Sequence, residues 1–266
     1  EARGARFGGG ALSLIAGPCA VEEFERLLEV ARAVEAHGAT LLRGGAYKPR
    51  TSPHSFQGRG EDGLRLLELA RAETGLGIVT EVLDPRDVEK VAEVADVFQI
   101  GARSMANSAL LREVGRCGKP VLLKRGLAAT VRELLLAAEH VLDEGNEDVV
   151  LCERGVRSFD SVTRNLLDVG AVAHLKLATH LPVVVDPSHA AGRAELVRPL
   201  ARAGIAAGAD GLLVETHPAP WEARSDGAQA VSFEALRQIA ADTRALLALD
   251  GRILFAPDRA LAAPSA

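Results

Sequence analysis

The sequence predicts a single α/β domain, a closed (β/α)8 TIM barrel, and three observations lead there. Short apolar runs rich in leucine or β-branched residues alternate with amphipathic stretches about eight times, with no linker between them. The 266 residues divided over eight units give about 33 per unit, which suits a barrel of roughly 250 residues. An open doubly wound sheet would carry a glycine fingerprint after its first strand, but the chain reads IAGPCAVE there. No G-x-x-x-x-G-K-[ST] and no H-E-x-x-H occurs either.

The first strand is expected at 12–16, behind a glycine run at 8–10 read as a flexible lead-in. A helix at 22–37 closes at Gly38, and the second strand follows at 40–43. The helix at 61–74 stops at Gly75 before the third strand, 77–81. Asp84 and Pro85 form an N-cap and first-turn proline for a helix at 85–95, ahead of the strand at 97–101. A helix at 108–116 ends at Gly118 before the strand 121–124, and one at 130–143 ends at Gly145 before the strand 149–153. The last units are a helix at 160–174 with strand 182–186, a helix at 193–207 with Gly208 and strand 211–215, and a closing helix at 232–249. The glycines sit where helix ends call for a left-handed residue. AHGATLLRGG and AAGADGLLVE repeat one helix-end, glycine, strand unit. The chain reads as one catalytic domain, 1–266, with its core at about 12–249, every interior connection consumed by a βα unit, and no appended regulatory domain.

The formal charge is −5, with 48% apolar and 25% charged residues, which excludes disorder and argues against nucleic acid as a partner. Aromatics are only 3%, too few for base-stacking or carbohydrate platforms. Three scattered cysteines (Cys19, Cys117, Cys152) make no disulfide framework, so a reducing cytoplasm is expected. Charge or glycine breaks every apolar run before the roughly 18 residues of a membrane span.

In a barrel the reactive groups lie where strands run into βα loops. Two constellations appear there. The first is cationic: Arg43, Lys48, Arg50, Arg103, Lys124 and Arg154 converge on one mouth of a protein whose net charge is negative. Any one of them could be a solvated flank of a strand, but six together suit an anion carrying both phosphate and carboxylate. The second is Cys19, His189, Glu215 and Asp226, after strands one, seven and eight, which become neighbours when the barrel closes. A lone cysteine there is usually a small buried hydrophobe and a lone histidine a hydrogen-bonded spectator. Their coincidence on one rim points to a metal. The mixed S, N and O donors leave Zn²⁺, Fe²⁺, Mn²⁺ and Co²⁺ all open.

IAGPCAVE, LLRGGAYKPRTSPHSFQG, FQIGARSM, VLLKRG, GNEDVVLCERG, VVVDPSHAAG and LLVETHP…SDGAQA together resemble the 3-deoxy-D-arabino-heptulosonate 7-phosphate synthases, over about 15–246. The resemblance is to the compact type, near the 3-deoxy-D-manno-octulosonate 8-phosphate synthases. It implies a TIM barrel, one divalent metal ion, and aldol-like condensation of phosphoenolpyruvate with erythrose 4-phosphate, the entry step of the shikimate pathway. It makes Cys19, His189, Glu215 and Asp226 metal ligands. Arg103, Lys124 and Arg154 match positions around the phosphoenolpyruvate phosphate, and Arg43, Lys48 and Lys124 positions near its carboxylate. Arg50 and Thr51 of KPRT match positions that hold the aldose phosphate, and Glu81 an acid near the reacting centre. Lys48 is the general-acid candidate, with metal-bound water or His189 as alternatives. Ala219 stands where the family often carries an acidic or amide residue. A homodimer or homotetramer is implied.

Three rivals remain. The octulosonate activity would use arabinose 5-phosphate, although its loop carries a KANRS-like phrase where this chain reads KPRTS. A Schiff-base aldolase would use Lys124 without metal. A silent phosphosugar-binding partner would keep the fold alone.

Overall fold

The computed structural model of the chain describes residues 2, 4–50 and 52–256. Eight short strands, β1 (Ala11–Gly17), β2 (Leu41–Arg43), β3 (Gly77–Glu81), β4 (Val97–Ile100), β5 (Val121–Lys124), β6 (Val149–Glu153), β7 (Val183–Val185) and β8 (Gly211–Glu215), pair in parallel in chain order. β1 pairs with both β8 and β2, so the sheet closes as expected. Parallel neighbours need crossovers, and helices supply them: α1 (Phe24–Ala36), α2 (Glu61–Thr74), α3 (Val88–Val94), α4 (Ser108–Cys117), α5 (Val131–Leu142), α6 (Val169–Ala178), α7 (Pro187–Ala191), α8 (Ala194–Ala206) and α9 (Phe233–Leu249).

Every residue of those eight strands is buried, because one face meets the helices and the other fills the barrel. Leu14, Leu42, Ile78, Phe98 and Leu123 pack outward in the core under the helices. Ile15, Leu41, Val79, Val97, Leu122, Val150, Cys152, Val184 and Leu213 fill the interior. The two sets alternate along each strand with period two.

Four expectations are corrected. The helix expected at 160–174 begins only at Val169, capped by Asp168, whose carboxylate accepts from Ala171 N–H. Residues 154–168 form a long loop, pinned by a Val156–Leu166 bridge and by bonds from Arg164 and Asn165 to the carbonyls of Ala191 and Ala190. That connection is therefore not consumed by its βα unit. The element at 85–95 is split into a 3-10 turn at Pro85–Asp87 and α3. α7 was not expected, although Asp186 and Pro187 carry the same cap-plus-proline signature as Asp84 and Pro85. Finally, the lead-in is part of the fold. Ala2 and Ala5 are buried, and with Phe7 they join the barrel-interior cluster, while Ser13 Oγ donates to the Arg6 carbonyl at 2.7 Å. A ninth strand, β9 (Ile253–Leu254), pairs with β1 at the same end.

Candidate active site

Strand alternation delivers the site. Two residues beyond each interior apolar side chain, the inward face presents a polar one at the carboxyl end. Arg43 follows Leu41, Glu81 follows Val79, Gln99 follows Val97, Lys124 follows Leu122, Arg154 follows Cys152, Asp186 follows Val184 and Glu215 follows Leu213. All seven are buried. With Lys48, Arg50, Arg103, His189 and Asp226 from the loops, five of these seven, Arg43, Glu81, Gln99, Lys124 and Arg154, surround a cavity of about 460 Å³. Two glycines make the geometry possible. A Cβ on Gly17 would lie 2.1 Å from the Arg43 carbonyl oxygen, and one on Gly101 would lie 1.9 Å from Glu81 Oε1.

The four expected metal donors lie together. One donor atom each from Cys19, Glu215 and Asp226 fall within 4.8 Å of one another. His189 stands beside that trio, its Nε2 3.4 Å from Glu215 Oε1. Cys19 Sγ lies 3.3 Å from Asp226 Oδ2, 3.2 Å from Ser225 Oγ and 3.0 Å from Lys48 Nζ. Burial, with Glu215 adding to it against Lys48, pushes the Cys19 thiol up to about 11. Such a thiol becomes a ligand only for a cation able to displace its proton. Burial alone would raise the Glu215 carboxyl, but His189, Arg43 and Lys48 outweigh it and hold Glu215 well below the usual carboxylate range. Burial lowers His189 despite Asp186, which favours the neutral ring a metal needs. One thiol, one imidazole and two carboxylates therefore fit a divalent transition-metal ion.

The cations divide by partner. Arg43 is ion-paired with Glu215, and Lys124 Nζ with Asp186 Oδ2 at 2.7 Å. An ion-paired ammonium has no lone pair for a Schiff base, which weighs against the Lys124 aldolase. Lys48 Nζ donates to the Cys19 carbonyl at 3.0 Å, and burial, which opposes its charge, is outweighed by Cys19 and Glu81, so its ammonium is raised. Arg154 is 4% exposed, and among the described residues no carboxylate ion-pairs with it; burial lowers its guanidinium. Among the described residues the buried Arg43 Nε lacks a hydrogen-bond partner. Unpaired buried donors of this kind ask for an anion. Arg50 reaches Ser225 Oγ at 2.6 Å, and Arg103 is exposed at the rim. Thr51 lies outside the described residues.

Several residues of the site went unread. Asp186 accepts from His189 N–H with Oδ1 (2.9 Å) and lies 2.6 Å from His189 Nδ1 with Oδ2, an arrangement that aims Nε2 at the donor cluster. Gln229 Nε2 donates to Glu215 Oε2 at 2.6 Å. Arg157, Arg164 and Gln99 line the cavity. Asp186 was legible in the D-P-S-H cap. Nothing local marks Gln229 or Arg164, because their partners are distant in sequence.

A profile of the DAHP synthetase I family matches residues 2–247. The phospho-2-dehydro-3-deoxyheptonate aldolase of Thermotoga maritima is 50% identical over 241 residues, covering 91% of this chain and 71% of that one. Its crystal structure superposes with a TM-score of 0.91 at 49% identity, over 94% of this chain and 73% of that one. A 2-dehydro-3-deoxyphosphooctonate aldolase of Acidithiobacillus ferrooxidans is 38% identical over 236 residues, 82% of this chain and 83% of that one. With a family match across nearly the whole barrel and a relative half identical to it, the chain belongs to the DAHP synthetase I family.

Proposed function

We propose that the chain is a DAHP synthase, a transferase that condenses phosphoenolpyruvate with erythrose 4-phosphate to DAHP and inorganic phosphate, with a divalent metal at Cys19, His189, Glu215 and Asp226. The observation that carries this reading is one cavity holding a buried Arg154, with no ion-pair partner among the described residues, beside a cluster of thiol, imidazole and carboxylates. The two substrates bring roughly five negative charges, and the cavity lining is correspondingly cationic. Arg154, Lys124 and Arg103 bind the phosphate of phosphoenolpyruvate, and Arg43 and Lys48 its carboxylate. Arg50 and Thr51 hold the distal phosphate of the aldose.

Binding both substrates at fixed ends brings the methylene carbon of phosphoenolpyruvate against the aldehyde carbon. A carbon–carbon bond forms there, water adds at C2, and the C2–O bond to phosphate breaks. A divalent metal bound by the four donors supplies Lewis acidity toward the aldehyde oxygen. Lys48, kept as an ammonium, donates the proton to the new alkoxide, and Glu81 orders water at the reacting carbon.

The higher identity to the heptulosonate relative favours the four-carbon aldose. Pro49 stiffens the loop that carries Arg50, so a longer sugar would misplace its aldehyde. Following phosphoenolpyruvate loss with each aldose, with and without chelator, tests this. Turnover with erythrose 4-phosphate that chelation abolishes and metal restores is expected. A higher kcat/KM for arabinose 5-phosphate, or full activity in metal-free protein, overturns the corresponding half. The reading includes a cytoplasmic homodimer or homotetramer. Three free cysteines and the exposed Phe159, Val162 and Leu166 on one loop support it, and light scattering after gel filtration tests the assembly. No described helix is long and apolar enough to cross a membrane.

A further inference from the structure

The loop between β6 and α6 carries more than Arg154. Its Arg164 and Asn165 brace the donor cluster from outside, and each contact lands on a donor or on the element that bears one. Asn165 Nδ2 donates to the His189 carbonyl at 2.8 Å, and the Arg164 and Asn165 backbone N–H groups donate to Ala191 and Ala190 at 3.1 and 2.9 Å. The short helix α7 is thereby held along three residues, His189 among them. The Arg164 guanidinium donates to Asp226 Oδ1 at 3.3 Å and to Gln229 Oε1 at 2.9 Å.

Gln229 is the junction. It is 2% exposed, and its amide faces a group that can only donate on one side and a carboxylate on the other. Arg164 therefore fixes the amide oxygen toward itself, which leaves the amide nitrogen to donate to Glu215 Oε2 at 2.6 Å. Asp226 is the one non-glycine among the described residues with a positive φ, 53°, a conformation that persists only where its surroundings hold it. Gly192 gives the arginine stem its place, since a Cβ there would lie 2.4 Å from Arg164 Cβ.

We propose that Arg164 is a positioning residue for the metal centre, holding Asp226 directly and Glu215 through Gln229. This rests on the reading that Cys19, His189, Glu215 and Asp226 bind a divalent cation. Groups that orient metal ligands in this way are worth about 10–100-fold in affinity when removed.

The test measures Zn²⁺ affinity of the full chain by competition with a chromophoric chelator, for wild type, Arg164→Gln, Gln229→Met and the double variant. The thermal midpoint of each metal-free protein and the kcat and KM values at saturating metal are measured alongside. Each single variant is expected to bind Zn²⁺ about 10–100-fold more weakly with KM values near wild type, and Arg164→Gln to do so with an unchanged metal-free midpoint. The double variant should lose less than the product of the two, because they share one path. Wild-type affinity in Arg164→Gln overturns the proposal, as does a raised KM with unaltered affinity, which would make Arg164 a substrate contact. A wild-type chain that binds no Zn²⁺ overturns the metal reading and the proposal together. Should Gln229→Met not fold, Arg164→Gln decides alone, since that side chain is 40% exposed.

Discussion

Arg154 illustrates how burial without a partner separates a binding group from a structural one. A guanidinium at 4% exposure that ion-pairs with no carboxylate among the described residues costs stability in the free protein. Replacing Arg154 with alanine should therefore lower kcat/KM for phosphoenolpyruvate by about 10–100-fold, the worth of hydrogen bonds to a charged group, while leaving the denaturation midpoint equal or higher. Steady-state kinetics and urea melts check both halves, and a loss of stability matching the loss of activity would make Arg154 a structural residue. Cysteine offers a second contrast. Cys19 is buried against Lys48, Ser225 and Asp226, whereas Cys117 is exposed at the end of α4. Cys19→Ala should lose metal affinity and turnover together, and Cys117→Ala should match wild type in both, as read by chelator competition and activity. Cys19 was legible in IAGPCAVE because a thiol just past a strand stands out. Asp186 was legible only as a helix cap, because its other contacts are with Lys124 Nζ, 62 residues away, and with a ring nitrogen three residues on.

At the level of elements, local signals and tertiary contacts can be told apart. α5 opens with a full capping box, Thr130 Oγ1 accepting from Glu133 N–H and the Glu133 carboxylate accepting from Thr130 N–H. Thr130→Ala should cost about 1 kcal/mol of unfolding free energy with kcat/KM unchanged, since the cap touches none of the described site. Chemical denaturation and kinetics on one preparation decide this, and an activity loss at full stability would tie the cap to the site. The stretch 160–168 shows the opposite case. Its pattern reads as a helix start, but the bridge to Val156 and the bonds to α7 outweigh helix propensity of a few tenths of a kcal/mol per residue. The true start was written in Asp168, and one misplaced cap moved the expected boundary by nine residues.

For the whole molecule, the donor cluster makes stability and metal inseparable by linkage. The protein groups hold the donors without metal: Lys48 at Cys19, Arg43 and Gln229 at Glu215, Asp186 at His189, Arg164 at Asp226. The chelated chain should therefore stay folded but inactive, with its far-UV circular dichroism retained. Zn²⁺ or Mn²⁺ should raise its thermal midpoint with concentration, by about 2.7 kcal/mol of stability at a hundredfold excess over Kd. Scanning calorimetry across a metal titration measures this, and a midpoint independent of metal would contradict a site that binds the native state.

The order of eight strands, their near-complete burial and the helices between them were determined by the sequence alone, because period and glycine punctuation are local properties. The same period explains why Arg43, Glu81, Lys124, Arg154 and Glu215 share one mouth, each two residues past an interior side chain. Only the tertiary structure decided which charges pair and which stay free. Arg43 and Lys124 form ion pairs with carboxylates while Arg154 forms none among the described residues, and that follows from closure of the barrel, which brings β1 beside β8 and β5 into reach of β7. It likewise decided the floor, where Ala2, Ala5 and Phe7 join the barrel interior in a way no local pattern describes, and the brace of Arg164 and Gln229, whose partners meet only once loops 62 and 65 residues apart are folded together.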